Sequence, residues 1–294
     1  MDLLAELHTR TLIFDGAMGT QLIAAGYRPV EAPESWNTSD PDVVSGIHRA
    51  YLEAGADIIE TNSFGGSRSK LSAYRAGDRV AELNAAGARL AIAARDELAP
   101  GRLVAGDIGP SGRLLPPVGD ATVAELRDVF AEQAEALASG GVDLLSMTTF
   151  FDLEEARAAV LGARAVTHSL PIVVSMAFKP SPRGFRTMMG VSPAQAAAAL
   201  LEAGADVVGA NCEITAEEMP GLVAEFREAT DAPLVMQPNA GQPHLVGGHT
   251  VYQETPERFA SFMPALVAAG AGLVGGCCGT TPAHIAALAQ ALGR

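Results

Sequence analysis

Cys212, Cys277 and Cys278 are the only cysteines in the chain, and the last two are adjacent. Adjacent cysteines do not readily bridge one another and the count is odd, which excludes a disulfide framework. Glycines flank all three, in Gly209-Ala-Asn-Cys212 and Gly275-Gly-Cys-Cys-Gly-Thr280. A lone cysteine is usually a small buried hydrophobe, but three thiols beside glycine-rich turns suit a metal ion better. The spacing differs from the paired C-x-x-C of structural zinc ribbons, and three protein ligands leave one position of a tetrahedral zinc open. Three thiolates make that centre net negative, a weak Lewis acid for forming hydroxide but a good host for a fourth sulfur. A thiol entering there loses its proton and stays nucleophilic at neutral pH. The chemistry expected is alkyl transfer to sulfur, with Cys212, Cys277 and Cys278 acting through zinc. The histidines offer no H-E-x-x-H pattern, and His244 and His249, spaced H-x4-H without a C-x-x-C, are expected in a solvated loop.

The elements that would position these thiols follow from an internal repeat. Ala54-Gly-Ala-Asp-Ile-Ile-Glu60, Gly140-Gly-Val-Asp-Leu-Leu145, Ala203-Gly-Ala-Asp-Val-Val208 and Ala269-Gly-Ala-Gly-Leu-Val274 each place a glycine between an alanine-rich helix and an apolar strand. Glycine ends the helix in the left-handed conformation, and the short β-branched or leucine run that follows reads as a strand buried on both faces. Four more strands are expected at Thr11 to Asp15, Leu103 to Asp107, Ile172 to Phe178 and Leu234 to Gln237, two of them just after Pro171 and Pro233. The eight starts, near residues 11, 57, 103, 143, 172, 206, 234 and 272, leave room for a helix between neighbours. Eight βα units in a chain of this length predict an α/β fold, a closed (β/α)8 TIM barrel in one domain over residues 1–294. A doubly wound open sheet would carry a glycine-rich dinucleotide loop, and Asp15-Gly-Ala-Met-Gly-Thr20 lacks its third glycine. In the barrel, all three cysteines fall at the C-terminal ends of the sixth and eighth strands, where such folds keep their chemistry. The Pro/Gly-rich stretches Gly109 to Gly119 and Lys179 to Gly190 are expected as loops on that same face.

Composition narrows the partners. The 294 residues are 48% hydrophobic and 5% aromatic, and carry a net charge of −14. That charge repels nucleic acid and anionic lipid. No run of about 18 apolar residues suggests a membrane span, and the first residues lack the basic start and apolar core of a signal peptide. A cytoplasmic setting is expected, where free thiols serve metal binding or catalysis.

Beyond the cysteines, the sequence resembles the homocysteine S-methyltransferase family, in particular the homocysteine-binding barrels of cobalamin-dependent members. The resemblance rests on Phe14-Asp-Gly-Ala-Met-Gly-Thr20, Gly55-Ala-Asp-Ile-Ile-Glu-Thr-Asn62, Gly106-Asp-Ile-Gly-Pro110, Asn211-Cys212, Pro238-Asn-Ala-Gly241 and Gly275-Gly-Cys-Cys-Gly-Thr-Thr-Pro282, and spans nearly the whole chain. It implies a zinc-dependent transfer of a methyl group to homocysteine, giving methionine, with zinc held by Cys212, Cys277 and Cys278. It also implies that Asp15, Gly16, Ala17, Met18, Gly19 and Thr20 hold the amino-acid end of the thiol substrate, partly through backbone N–H groups. Thr61, Asn62 and Asn239 are expected to line the same pocket, and Asn211 to support its neighbouring ligand. Asp107 sits at a strand end too, although an Asp there can be simply a turn residue.

One position departs from the family. Where the fourth strand usually ends in a glutamate that pairs with the ammonium of homocysteine, this chain has Thr148. A hydroxyl cannot replace a charge-assisted bond, whose loss costs on the order of 1.5–3 kcal/mol. Asp152, Glu154 or Glu155 could compensate, although the two glutamates also suit the start of the next helix. The alternatives are a different thiol acceptor, or a non-catalytic zinc- and thiol-binding partner of a corrinoid protein. For the methyl donor, Trp36 matches a family tryptophan, but Gly65 and Thr149 stand where the family has tyrosines, so the aromatic cage for a quaternary ammonium is incomplete. That leaves methylcobalamin on a separate corrinoid protein, or a small sulfonium donor.

Overall fold

The repeat glycines Gly141, Gly204 and Gly270 end their helices with φ of 93°, 108° and 115°, the left-handed region that glycine enters without a Cβ penalty. A strand begins three residues after each of them in the computed structural model, which describes residues 2–247 and 249–294. The strands in chain order are β1 Leu12–Ile13, β2 Ile58–Glu60, β3 Leu103–Ile108, β4 Leu144–Phe150, β5 Ile172–Met176, β6 Lys179–Ser181, β7 Gly184–Arg186, β8 Val207–Thr215, β9 Leu234–Asn239, β10 His244–Val246, β11 His249–Val251 and β12 Leu273–Val274. Eight of them form one parallel sheet in the order β1-β12-β9-β8-β5-β4-β3-β2. A bridge between Phe14 and Ile58 brings its two edges together, with Asp57 N–H donating to Ile13 at 2.7 Å and Asp15 N–H to Ile58 at 2.9 Å. The expected (β/α)8 barrel is therefore the fold. The remaining strands pair as hairpins, β6 with β7 and β10 with β11, both beyond the C-terminal ends of barrel strands.

The sequence explains the two-layered core. Leu12, Phe14, Ile58, Leu103, Ala105, Leu144, Val173, Val207, Val235 and Leu273 fill the barrel, and Leu3, Leu4 and Leu7 of helix α1, Leu3–Leu7, plug its N-terminal end. Their strand neighbours Ile13, Ile59, Val104, Leu145, Val174, Val208, Met236 and Val274 point the other way, into the layer under the helices. The side-chain period of two in a strand produces this split, and each fully buried Leu, Ile or Val contributes roughly 1.5–3 kcal/mol.

Boundaries differ from the sequence reading where tertiary contacts intervene. The first strand is shorter than Thr11 to Asp15, because Phe14 makes only the closing bridge. The sixth barrel strand, β8, does not end at Cys212 but continues to Thr215 through a register shift against β9 between Asn211 and Thr215. The stretch from Lys179 to Gly190 contains the β6–β7 hairpin rather than irregular loop. Among the described residues, no helix is long and apolar enough to cross a membrane.

Candidate metal and thiol site

Counting onward by twos from the apolar residues inside the barrel leads directly to its polar end. Ile58 is followed by Glu60, Ala105 by Asp107, Leu144 by Ser146 and Thr148, Val173 by Ser175, Val207 by Gly209 and Asn211, and Val235 by Gln237 and Asn239. The interior thus changes from apolar to hydrogen-bonding toward the C-terminal ends of the strands.

The three cysteines meet at that end. Their sulfurs all lie within 4.8 Å of one another, and among the described residues they form the one group of three or more such side chains placed to hold a metal ion. Cys212 Sγ and Cys278 Sγ are 3.8 Å apart, and two sulfurs each about 2.3 Å from a tetrahedral zinc are separated by about that distance. The donor set and its spacing therefore fit zinc. The backbone is shaped for this convergence: Cys212 and Glu213 have φ of 58° and 54° at the β8 irregularity, and nearby Thr149 has φ of 64°. Non-glycine residues in the left-handed region store strain, which the surrounding structure must hold in place. Mutual hydrogen bonding polarises the trio. Cys278 is pushed down to about 3 by hydrogen bonds from Cys212 and then Cys277, and Tyr252 adds a further bond. Cys277 is pushed up by the same bonds to Cys212 and Cys278, reinforced by burial. One sulfur is thus favoured as thiolate before any ion arrives.

Asn211 organises one side of this centre. Its Oδ1 accepts from Thr149 N–H at 2.7 Å and from the Ser175 hydroxyl at 2.8 Å, while its Nδ2 donates to Thr149 Oγ1 at 2.7 Å and to Cys277 Sγ at 3.5 Å. It supports Cys277 rather than its chain neighbour Cys212. Cys277 and Cys278 are held from the other side by β9 and the residue after it, through Cys277 N–H to Pro238 at 2.8 Å and Ala240 N–H to Cys278 at 3.0 Å.

The loop of Asp15, Gly16, Ala17, Met18, Gly19 and Thr20 is fastened to the cysteine loop. Ala17 N–H donates to Thr280 Oγ1 at 3.1 Å, Gly279 N–H to Thr20 Oγ1 at 3.1 Å, and Gly276 N–H to Asp15 O at 3.0 Å. A Cβ on Gly16 would lie 2.6 Å from Thr280 Oγ1, so only glycine permits this approach. The N–H of Ala17 and the hydroxyl of Thr20 are thereby engaged within the protein. Met18 begins the next helix, α2, Met18–Ala24, and Gly19 is exposed.

The remaining predicted residues separate into braces and open groups. Thr61 Oγ1 pairs with Ser63 Oγ at 2.5 Å and accepts from Asp107 N–H at 3.1 Å. Asn62 Nδ2 donates to Pro33 O at 2.9 Å and Asn37 Oδ1 at 3.0 Å, bracing the segment that carries Trp36. Trp36 packs edge-on against Tyr27, 5.6 Å between ring centres, and donates to Glu31 at 3.1 Å, which makes it an anchor of that loop. Asn239 is 3% exposed and its Oδ1 has no partner. Thr148 donates to Asp107 Oδ1 at 2.7 Å. Asp107 is therefore not a solvent-facing turn residue: it points into the barrel mouth. The other candidates to replace a glutamate at 148 are committed elsewhere. Asp152 caps the helix Leu153–Val166, Glu154 is ion-paired with Arg157, and Glu155 accepts from Ser111 N–H at 2.9 Å and its hydroxyl at 2.6 Å. His244 is exposed on β10, and the side chain of His249 lies outside the described part of the structure.

Sequence reasoning passed over Glu60, Gln237 and Tyr252. The first two were recoverable, since each lies two residues beyond an apolar inward position; Tyr252 follows a hairpin and carried no periodic signal. Glu60 is pushed up by burial, and Asp15 and Asp107 are pushed up by burial and then by the charge of Glu60.

Comparison with known proteins agrees with this geometry. The family model for homocysteine S-methyltransferase matches residues 12–292. Methionine synthase of Mycobacterium tuberculosis is 37% identical over 99% of this chain, and that of Mycobacterium leprae is 36% identical over 100% of this chain. The chain spans about a quarter of the length of those two relatives, 25% in each case. The crystal structure of the metallated homocysteine methyltransferase MmuM from Escherichia coli superposes with a TM-score of 0.81 at 27% identity, covering 98% of this chain and 99% of that one. The chain belongs to the homocysteine S-methyltransferase family.

Proposed function

We propose that this protein transfers a methyl group to the thiolate of a small thiol, homocysteine being the acceptor that the family points to, and that it does so as a zinc protein. The observation that carries the proposal is the convergence of Cys212, Cys277 and Cys278 sulfurs within 4.8 Å at the C-terminal end of the barrel. Those three residues would hold the ion. Bound there, zinc would supply the Lewis acidity that keeps a substrate thiol deprotonated at neutral pH.

The chain's own residues do the rest. Asn211 orients Cys277, as a hydrogen-bond partner behind a metal ligand does. The fastened loops from Asp15 to Thr20 and from Gly275 to Thr280 hold the ligands in place and so reduce reorganisation on binding. In the transfer, the acceptor sulfur forms a bond to the methyl carbon, the carbon's bond to the donor breaks, and that electron pair leaves with the donor. The donor proposed is a methylated corrinoid on a separate protein. What supports a corrinoid donor is the likeness to two methionine synthases. A small sulfonium compound is the second donor to assay.

Purified protein should contain about one zinc per chain, and Cys277→Ala or Cys278→Ala should lose both the metal and thiol methylation. Full metal content in both variants would overturn the proposal, and methylation from a free sulfonium donor would overturn the corrinoid part alone.

A further inference from the structure

The three ligand sulfurs pose a problem of selectivity. With an acceptor thiolate in the open position, zinc would carry four thiolates of similar chemistry, and each is a nucleophile toward an electrophilic methyl group. Transfer to the right sulfur requires that the cysteines be poorer nucleophiles than the fourth ligand. Coordination alone does not achieve this, since it acts on all four alike. A hydrogen bond to a thiolate does, because it draws charge off the sulfur, and nucleophilicity falls with sulfur basicity.

The structure sets a donor from a different place against each cysteine. Cys277 Sγ receives the Asn211 side-chain amide at 3.5 Å. That amide has one orientation, because Asn211 Oδ1 accepts from Thr149 N–H on its other side. Cys212 faces the N–H of Glu213, where the chain bends through left-handed φ of 58° and 54°. Cys278 meets the hydroxyl of Tyr252.

Tyr252 is the donor that the barrel itself does not supply. It follows the β10–β11 hairpin and is part-exposed, a poor place for a core residue. Yet the chain around it is fastened to the cysteine loop. Ala240 N–H donates to Cys278 O at 3.0 Å, and Glu254 N–H to Ala240 O at 3.1 Å. His284 closes the circuit: its Nδ1 accepts from Thr281 N–H at 3.2 Å, which leaves the ring proton on Nε2 to donate to Glu254 O at 3.0 Å. The root of the Tyr252 side chain rests on Gly279, where a Cβ would lie 2.3 Å from Tyr252 Cβ and Cγ.

Building on the zinc-thiolate transfer read above, we propose that Tyr252 is a positioning residue that determines which sulfur is methylated: its hydroxyl holds the Cys278 sulfur and draws off its charge, as Asn211 does for Cys277, so that the methyl group goes to the substrate sulfur. The reaction suppressed is self-alkylation. In it the Cys278 sulfur forms a bond to the methyl carbon, the carbon's bond to its leaving group breaks, and that electron pair departs with the leaving group. The product is a neutral thioether in place of an anionic ligand, which weakens the metal site.

The test uses iodomethane, a methyl donor that needs no partner protein and releases iodide. The zinc-loaded full chain is treated in the absence of any acceptor thiol, methylation at each cysteine is followed by peptide mass spectrometry, and zinc content is measured on the same sample. In Tyr252→Phe, which keeps the ring on Gly279, Cys278 should be methylated about three- to tenfold faster than in wild type, with Cys212 and Cys277 unchanged. Asn211→Ala, kept saturated with zinc, should move the excess to Cys277. An unchanged Cys278 rate in zinc-loaded Tyr252→Phe, or equal acceleration at all three cysteines, would overturn this inference and leave transfer to a thiol intact. A chain that holds no zinc would overturn both. A zinc-loaded chain that shows the Tyr252 effect but methylates no added homocysteine would sink the transfer reading and leave the shielding of Cys278 standing.

Discussion

At the N-terminal end of the barrel Asp57, Asp143 and Asp206 each accept a backbone N–H from a neighbouring strand, from Ile13 at 2.9 Å, Val104 at 2.7 Å and Ile172 at 2.7 Å, and each meets an arginine. At the C-terminal end Asp15 is fully buried and Glu60 and Asp107 partly so, and among the described residues none of the three meets an arginine. Asp57 has Arg102 at 2.5 Å, Arg10 at 3.1 Å and also Arg294, and although burial works against it, the Ile13 N–H and these arginines hold its carboxyl below the ordinary value. The opposite end has burial and the charge of Glu60 with hydrogen bonds but no cation to offset them, so the carboxyls of Asp15 and Asp107 shift upward. The same residue types thus close the fold at one end and stay open to a ligand at the other. A paired carboxylate reports structure; an unpaired buried one reports a site.

The largest effect should come from the paired end. Asp57→Ala removes the shared partner of three arginines and of the Ile13 N–H, and should cost about 3 kcal/mol of stability, the low end for a broken buried pair because the arginines are part-exposed. Urea unfolding would measure it, with zinc affinity per folded molecule unchanged; a loss under about 1 kcal/mol would remove the contrast between the ends. Next, Asn211→Ala should weaken zinc binding by about 10–100-fold through Cys277, read by competition with a chelator. An unchanged affinity would reduce Asn211 to a strand brace. Asp107→Asn should have the opposite sign to Asp57→Ala, stabilising the ligand-free protein at pH 7 by about 1 kcal/mol as a buried repulsion disappears; destabilisation would mean that Asp107 is already satisfied.

The smallest effect is in pH dependence. A carboxyl raised in the folded state favours folding at low pH, and that contribution fades as pH rises from its unfolded value near 4 through its higher folded value. The Asp15 and Asp107 contribution should therefore grow as pH falls from 7 toward 4. Asp57, lowered on folding, contributes above its unfolded value and is lost on further acidification. Apo wild type should thus gain slightly in stability on mild acidification and then lose it, and Asp107→Asn should flatten the gain. A profile identical in wild type and variant would contradict the assigned shifts.

Much of this was legible in sequence because it is local. A glycine ending a helix, an Ala-Asp pair and an apolar run specify a βα step whatever surrounds them, and four repeats of it, with four further strands, sufficed for the barrel. Cys277 and Cys278 were legible because adjacency with flanking glycines is itself unusual. Asp107 was left between a strand-end role and a turn role because its local sequence is the same whether or not it faces the barrel. Glu154 and Glu155 stood near Thr148 in sequence yet are spent elsewhere, one on Arg157 and the other on Ser111.

By itself, then, the sequence determined the barrel, the sulfur donor set and the vacancy at position 148, since each follows from residue type and short-range spacing. Only the tertiary structure decided which carboxylates are paired and which are left open. That choice depends on which residues meet across strands far apart in sequence: Arg294 reaches Asp57, while Glu60 receives an amide from Gln237 and no cation. Closure of the barrel, which brings β1 between β2 and β12, is what sets those meetings.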